Sequence, residues 1–244
     1  MWNEEQFLGE RSVQKLALSE DLATRALARD FVRASYGHDY CYMWDWLGFP
    51  ILQMPEDVVA LQEILFRCQP SVFLETGVAW GGGVALAASI MSLYNPRARV
   101  LGIDLNLRPD LPDRLSRLNL PVPINLLKAS STSSRALAWV SSLIVPDDRV
   151  MVVLDSHHTH EHVLAELNLY NGFVTEGQYL IVGDTSAGEL SDATERKRPW
   201  SIERNPLTAV EEFLTDSVTF KQDTDLNSKL LTTFHPLGYL RRMS

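Results

Sequence analysis

Two apolar runs that end in acids carry the clearest chemical signal in this chain. The first, Phe73-Leu74-Glu75-Thr76-Gly77-Val78-Ala79-Trp80-Gly81-Gly82-Gly83, reads as a short buried strand, a glycine-rich turn and a helix starting at about Val84. Glycines let backbone approach a ligand closely, and a helix start supplies free N–H groups with partial positive charge. The second run, Val100-Leu101-Gly102-Ile103, ends in Asp104, where an acid suits the hydroxyls of a ribose. Glu75, Thr76, Gly77, Gly81, Gly82 and Asp104 are therefore expected to hold a nucleoside-containing cofactor. The spacing is not that of the dinucleotide fingerprint, because G-x-G-x-x-G does not occur. An ordinary strand–turn–helix whose glycines serve packing alone is the competing reading.

Two further runs end in Leu154-Asp155-Ser156-His157-His158-Thr159-His160-Glu161-His162 and in Val182-Gly183-Asp184-Thr185. Adjacent strand ends would bring Asp155 and Asp184 together, and two carboxylates there suit a hard divalent cation such as magnesium. Such an ion would orient a substrate hydroxyl and lower its pKa. His158, directly past the strand end, is the candidate general base. His158 and His162 at helical spacing also resemble some zinc sites, although no third soft ligand is evident. His160 and His162 are expected to be surface, capping or packing residues.

Strand and helix must alternate to place these groups on one edge. Strand-like runs at Val72–Leu74, Val100–Ile103, Val122–Leu127, Val150–Leu154 and Tyr179–Val182 are separated by helical stretches near 83–94, 110–118, 132–143 and 160–171. That order predicts a doubly wound α/β fold with a mainly parallel sheet, whose ligands collect outside the carboxyl ends of the strands. Upstream, residues 1–50 read as a helical and aromatic extension, a lid or an oligomer contact, and 51–244 as the main domain. Its aromatic stretch runs from Tyr36 to Trp46. Val58–Phe66 reads as a helix with Pro55 near its first turn. Downstream, Leu207–Leu214 reads as a helix, and Val218–Phe220 and Lys229–Phe234 as two strands of an antiparallel hairpin.

Composition narrows the partners. The chain has 244 residues, 45% of them hydrophobic, and a net charge of −9. The acidic balance argues against nucleic acid, which needs clustered Lys and Arg; Arg196-Lys197-Arg198 and Arg241-Arg242 read as a solvated loop and tail. Cys41 and Cys68 are the only cysteines, so neither a disulfide framework nor a cysteine metal cluster is expected. Met1-Trp2-Asn3-Glu4-Glu5 lacks the plan of a signal peptide, and no apolar run is long enough to span a bilayer. A cytoplasmic protein acting on a small molecule, without membrane or nucleic-acid partners and forming a homo-oligomer, is expected.

The turn Glu75-Thr76-Gly77-x-x-x-Gly81-Gly82 resembles the first motif of class I S-adenosylmethionine-dependent methyltransferases. From Trp46 onward the chain is similar to the cephalosporin hydroxylase-like branch of that fold. The resemblance rests on Trp46-Leu-Gly48-Phe-Pro50, Gln53-Met-Pro55-Glu-Asp57, Gly102-Ile103-Asp104, Leu154-Asp155-Ser156 with His158, His162-Val163-Leu164 with Glu166-Leu167, Asp184-Thr185 and Gly238-Tyr239-Leu240-Arg241-Arg242. It implies a Rossmann-like seven-stranded sheet with an antiparallel C-terminal strand, bound S-adenosylmethionine, and O-methylation of an antibiotic or sugar hydroxyl. It also puts Ser130 or Ser131 near the adenine, and Asp155 beside the cofactor.

Two departures stand out. The branch usually has Glu at the position of Gly183, where it joins the strand-end aspartates around magnesium, and Asp at the position of His157. Losing two acids should weaken magnesium binding, and restoring Gly183→Glu is expected to strengthen it. Three readings stay open. His158 or His157 takes the proton without metal, a softer ion binds through imidazole, or only binding is retained in an accessory subunit. Reuse of the fold by an isomerase or pericyclase is a further alternative.

Overall fold

The computed structural model describes residues 3–243; Met1 and Trp2, read above as part of a non-signal start, lie outside them. Two helices lead: α1 (Glu4–Glu20), capped by the Asn3 side chain, and α2 (Leu22–Tyr36), capped by Asp21. A small antiparallel hairpin follows, β1 (Asp45–Trp46) and β2 (Phe49–Pro50), and then α3 (Pro55–Cys68), with Pro55 at its start as expected.

The main sheet then forms by alternation. Its parts are β3 (Val72–Thr76), α4 (Gly82–Met91), β4 (Arg99–Asp104), α5 (Leu111–Ser116), β5 (Ile124–Lys128), α6 (Ser134–Leu143), β6 (Val150–Leu154), α7 (His160–Tyr170), β7 (Tyr179–Val182), α8 (Pro206–Asp216), β8 (Phe220–Gln222), α9 (Thr224–Lys229) and β9 (Tyr239–Arg242). The seven strands lie in the order β5-β4-β3-β6-β7-β9-β8. All neighbours are parallel except the two pairs made by β9. The order reverses between β3 and β6, which opens a crevice at their carboxyl ends.

The side-chain period of two sends alternate residues to opposite faces. Phe73, Met151, Val153 and Ile181 pack on one face with α3 and α4, whereas Leu74, Leu101, Val152 and Val182 pack on the other with α6, α7 and α8. Both faces are covered, which is why these strands read as continuous apolar runs. Each fully buried Leu or Val contributes roughly 1.5–3 kcal/mol relative to exposure. Among the described residues, no helix is long and apolar enough to cross a membrane.

One expected strand is absent. Lys229–Phe234 holds the end of α9 and an irregular segment, and the last strand is Tyr239–Arg242. The donors of the segment go to side chains on the first turn of α3. Glu56 takes the N–H groups of Leu231 and Thr232, and Asp57 takes that of Phe234. With these three donors turned to α3, the segment does not build a ladder with a neighbouring strand. β8 and β9 do pair antiparallel, but through α9 rather than a hairpin turn.

Candidate active site

The tips of β3 and β4 build the first half of the site. Glu75 is 3% exposed, and its Oε2 has no hydrogen-bond partner among the described residues. Burial, then the charges of Asp155 and Asp104, push its carboxyl well above the usual range. Gly83 leaves the room it needs, since a Cβ there would lie 2.9 Å from Glu75 Cδ. Gly77 has φ +87 and meets the end of β6 so closely that a Cβ would lie 2.8 Å from Ser156 Cα. Gly81 caps α4 against Leu111, Gly82 packs beneath Ile51, and Thr76 is buried. Asp104 accepts from the N–H groups of Ala79 (2.8 Å) and Asn106 (2.6 Å).

Two adjoining cavities meet at Gly77, Asp104 and Ser156. One, about 210 Å³, is lined by Glu75, Gly82, Gln53, Tyr42, Asp155, His158 and Asp184. The other, about 390 Å³, is lined by Asn106, Ser130, Ser131, His157 and His162. The two serines thus stand on the side of Asp104 away from the carboxylate pair. An unpartnered buried carboxylate fits the amino group of S-adenosylmethionine, and the Asp104 lone pairs left after its two backbone bonds fit ribose hydroxyls.

The tips of β6 and β7 build the second half. Because Leu154 pairs with Val182, Asp155 and Asp184 emerge side by side. Asp155, His158 and Asp184 each offer a ligand atom within 4.8 Å of the others. Burial first, then the Asp184 charge, raises the Asp155 carboxyl to about 6, with His158, His235 and the Gln53 amide pulling the other way. His158 Nε2 lies 3.4 Å from Asp184 Oδ2, and its ring meets Trp200 edge-on at 5.4 Å. Gly183 provides no ligand. Two carboxylates and an imidazole fit magnesium poorly, since that ion prefers an octahedron of oxygens, and suit a borderline ion better.

The four clustered histidines divide among three places. α7 begins at His160, so His158 stands outside the helix and the four-residue spacing to His162 makes no zinc face; they line different cavities. His157 is exposed, 5.4 Å edge-on from the ring of His162 and away from the aspartates. Burial, then His162 and His158, lowers its affinity for a proton. His160 packs, bonding Thr208 (2.8 Å) and Glu212 (3.0 Å) across to α8. His162 does not merely pack: its Nε2 meets Ser156 Oγ (2.9 Å) and Ser131 Oγ (3.2 Å), and Ser156 donates to buried Glu166.

Some groups at the site gave no functional signal of their own in the sequence. His235 lies at the end of a segment that reads as a strand. Trp200 lies beside a basic run that reads as a solvated loop, yet Arg196 pairs with Asp39 and Arg198 stacks 5.3 Å from the Trp200 ring. Of the aromatic stretch, Tyr42 reaches the cavity, whereas Trp46 donates to Ser89 and Cys41 packs with Met54 and Phe234.

A crevice at the β3–β6 reversal with acids on successive strand tips, under this strand order, fits the class I methyltransferase fold that the sequence leads one to expect. Within it, the family profile described as Rhamnosyl O-methyltransferase/CmcI matches residues 38–243. The chain belongs to that family. The rhamnosyl O-methyltransferase of Mycobacterium tuberculosis is 28% identical over 223 residues, covering 89% of this chain and 85% of its own. That of Mycobacterium leprae is 29% identical over 168 residues, covering 67% and 69%. A CmcI structure with magnesium and S-adenosylmethionine superposes with TM-score 0.59 at 16% identity, covering 83% of this chain and 78% of that one. An O-methyltransferase from Bacillus cereus with S-adenosylhomocysteine gives 0.51 at 13%, covering 86% and 88%. At such identities the structures show the fold alone.

Proposed function

We propose that the protein methylates a hydroxyl of a sugar or small natural product, with His158 as the base. When bound, S-adenosylmethionine supplies the methyl group. Glu75 would face its amino group, Asp104 its ribose, and Ser130 and Ser131 its base. His158 Nε2 would take the proton of the acceptor hydroxyl, and Asp184 at 3.4 Å would steady the imidazolium so formed. Asp155 and Asp184 are also the oxygen donors for a cation, while the missing carboxylate at Gly183 favours a route in which the base acts without one. Holding the acceptor oxygen in line would supply much of the rate. The observation that carries this reading is the placement of His158 and Asp184 in the same cavity as Glu75.

The test has two stages. Calorimetry should show S-adenosylhomocysteine binding that Asp104→Ala abolishes. Labelled S-adenosylmethionine with methyl α-rhamnoside as acceptor, run with EDTA and with magnesium, should then show methyl transfer. Absent binding would overturn the reading at its root. Binding without turnover on any sugar or phenolic acceptor would instead favour an accessory binding protein, the reading that the bare position 183 supports.

A further inference from the structure

His235 takes no part in the chemistry above, yet it is 4% exposed and sits directly beneath Asp184. The Asp184 N–H donates to His235 Nδ1 at 2.9 Å. A backbone N–H can only donate, so Nδ1 is the acceptor in this contact. Asp184 has φ +51, a left-handed conformation uncommon for residues with a side chain, though less so for Asp than for most. The orientation of its carboxylate toward His158 depends on that backbone conformation.

The segment that carries the ring is itself held from α3. Asp57 accepts from Phe234 N–H (2.8 Å), Tyr239 Oη (2.9 Å) and Thr233 Oγ1. Glu56 holds Leu231 and Thr232, and Thr233 Oγ1 accepts from the His235 N–H at 2.9 Å. The residues after Asp184 dock on the same segment without using the ring: Thr185 Oγ1 bonds the Pro236 carbonyl, and Ser186 bonds that of Phe234 through both N–H and Oγ. Removing the imidazole therefore frees one group, the Asp184 amide, and leaves the neighbouring clamps in place.

We infer that His235 is a positioning residue: by accepting the Asp184 N–H it fixes the left-handed conformation that aims the Asp184 carboxylate at His158. The inference rests on His158 being the base. It predicts an asymmetry between two variants. His235→Leu removes the acceptor, whereas His235→Asn returns an oxygen close to the place of Nδ1.

Amide exchange measured by NMR on the full chain, kinetics with methyl α-rhamnoside and calorimetry with S-adenosylhomocysteine read the effect. In His235→Leu the Asp184 amide should exchange at least about tenfold faster. Its kcat should fall about 10–100-fold, the loss typical of an orienting partner, while the Kd for S-adenosylhomocysteine stays within about twofold. His235→Asn should recover most of both losses, which a variant that merely loosens the core would not do; thermal unfolding of both variants checks that they fold. An Asp184 amide unprotected in the native protein, or accelerated exchange with kcat unchanged, overturns the inference. Unchanged turnover in His158→Ala is a different result, and removes the base reading instead.

Discussion

The carboxylate of Asp155 occupies the space that a side chain at Gly183 would need: a Cβ built there would lie 2.6 Å from Asp155 Cγ and closer still to Oδ1. The bare position is thus coupled to the way Asp155 enters the cavity. Adding the carboxylate that the family usually carries would displace the one already present. Gly183→Glu should therefore leave magnesium affinity within about threefold of the native value, against the gain expected from the sequence. It should also cost about 1–3 kcal/mol of stability through overpacking. Titration calorimetry and denaturant unfolding measure the two quantities, and a large gain in affinity would show that Asp155 swings aside freely.

Asp155 also leaves a mark on the pH dependence of stability. Its carboxyl rises from 3.8 in the unfolded chain to about 6, so the folded state binds that proton more tightly. Its stabilising contribution is complete below about pH 4 and is lost as pH climbs through 6, on the order of 3 kcal/mol in all. Asp155→Asn has no such proton to lose. Melting the cofactor-free proteins from pH 4 to 7 should show the native Tm declining relative to the variant across that window. Parallel curves would mean that Asp155 stays ionised throughout.

The sheet was legible because its strands are buried on both faces, and Val150–Leu154 and Tyr179–Val182 form strands at the expected bounds. The strand tips were legible for the same reason: Glu75, Asp104, Asp155 and Asp184 interrupt apolar runs at the edge where such folds gather ligands. What escaped depends on tertiary partners. Lys229–Phe234 has the composition of a strand, but Glu56 and Asp57 claim its donors from another element. His235 could not be found without that correction. The histidine cluster misled because the spacing of His158 and His162 presumes a helix that starts two residues later, at His160.

The orphaned oxygen of Glu75 separates binding from folding. Glu75→Gln keeps the shape and replaces a buried carboxyl whose Oε2 has no hydrogen-bond partner among the described residues. Cofactor-free stability at pH 7 should be unchanged or raised, because an unpaired buried carboxylate is costly. Affinity for S-adenosylmethionine should fall about 10–100-fold with the loss of a charged hydrogen bond. Calorimetry and thermal melts made on one preparation decide it. A variant that binds normally would place the amino group elsewhere.

The adjacent His157 and His158 should behave as different residues. His158 faces Asp184 and the cavity of Glu75, whereas His157 turns to the cavity of Ser130, Ser131 and His162. His158→Ala should lower kcat about 10²–10⁴-fold, the usual loss for a general base, with the Kd for S-adenosylhomocysteine unchanged. His157→Ala should leave kcat within about threefold and shift that Kd, since it touches only the side where Ser130 and Ser131 stand. An exchange of these two phenotypes would make His157 the base and require the connection after β6 to adopt a different course during turnover.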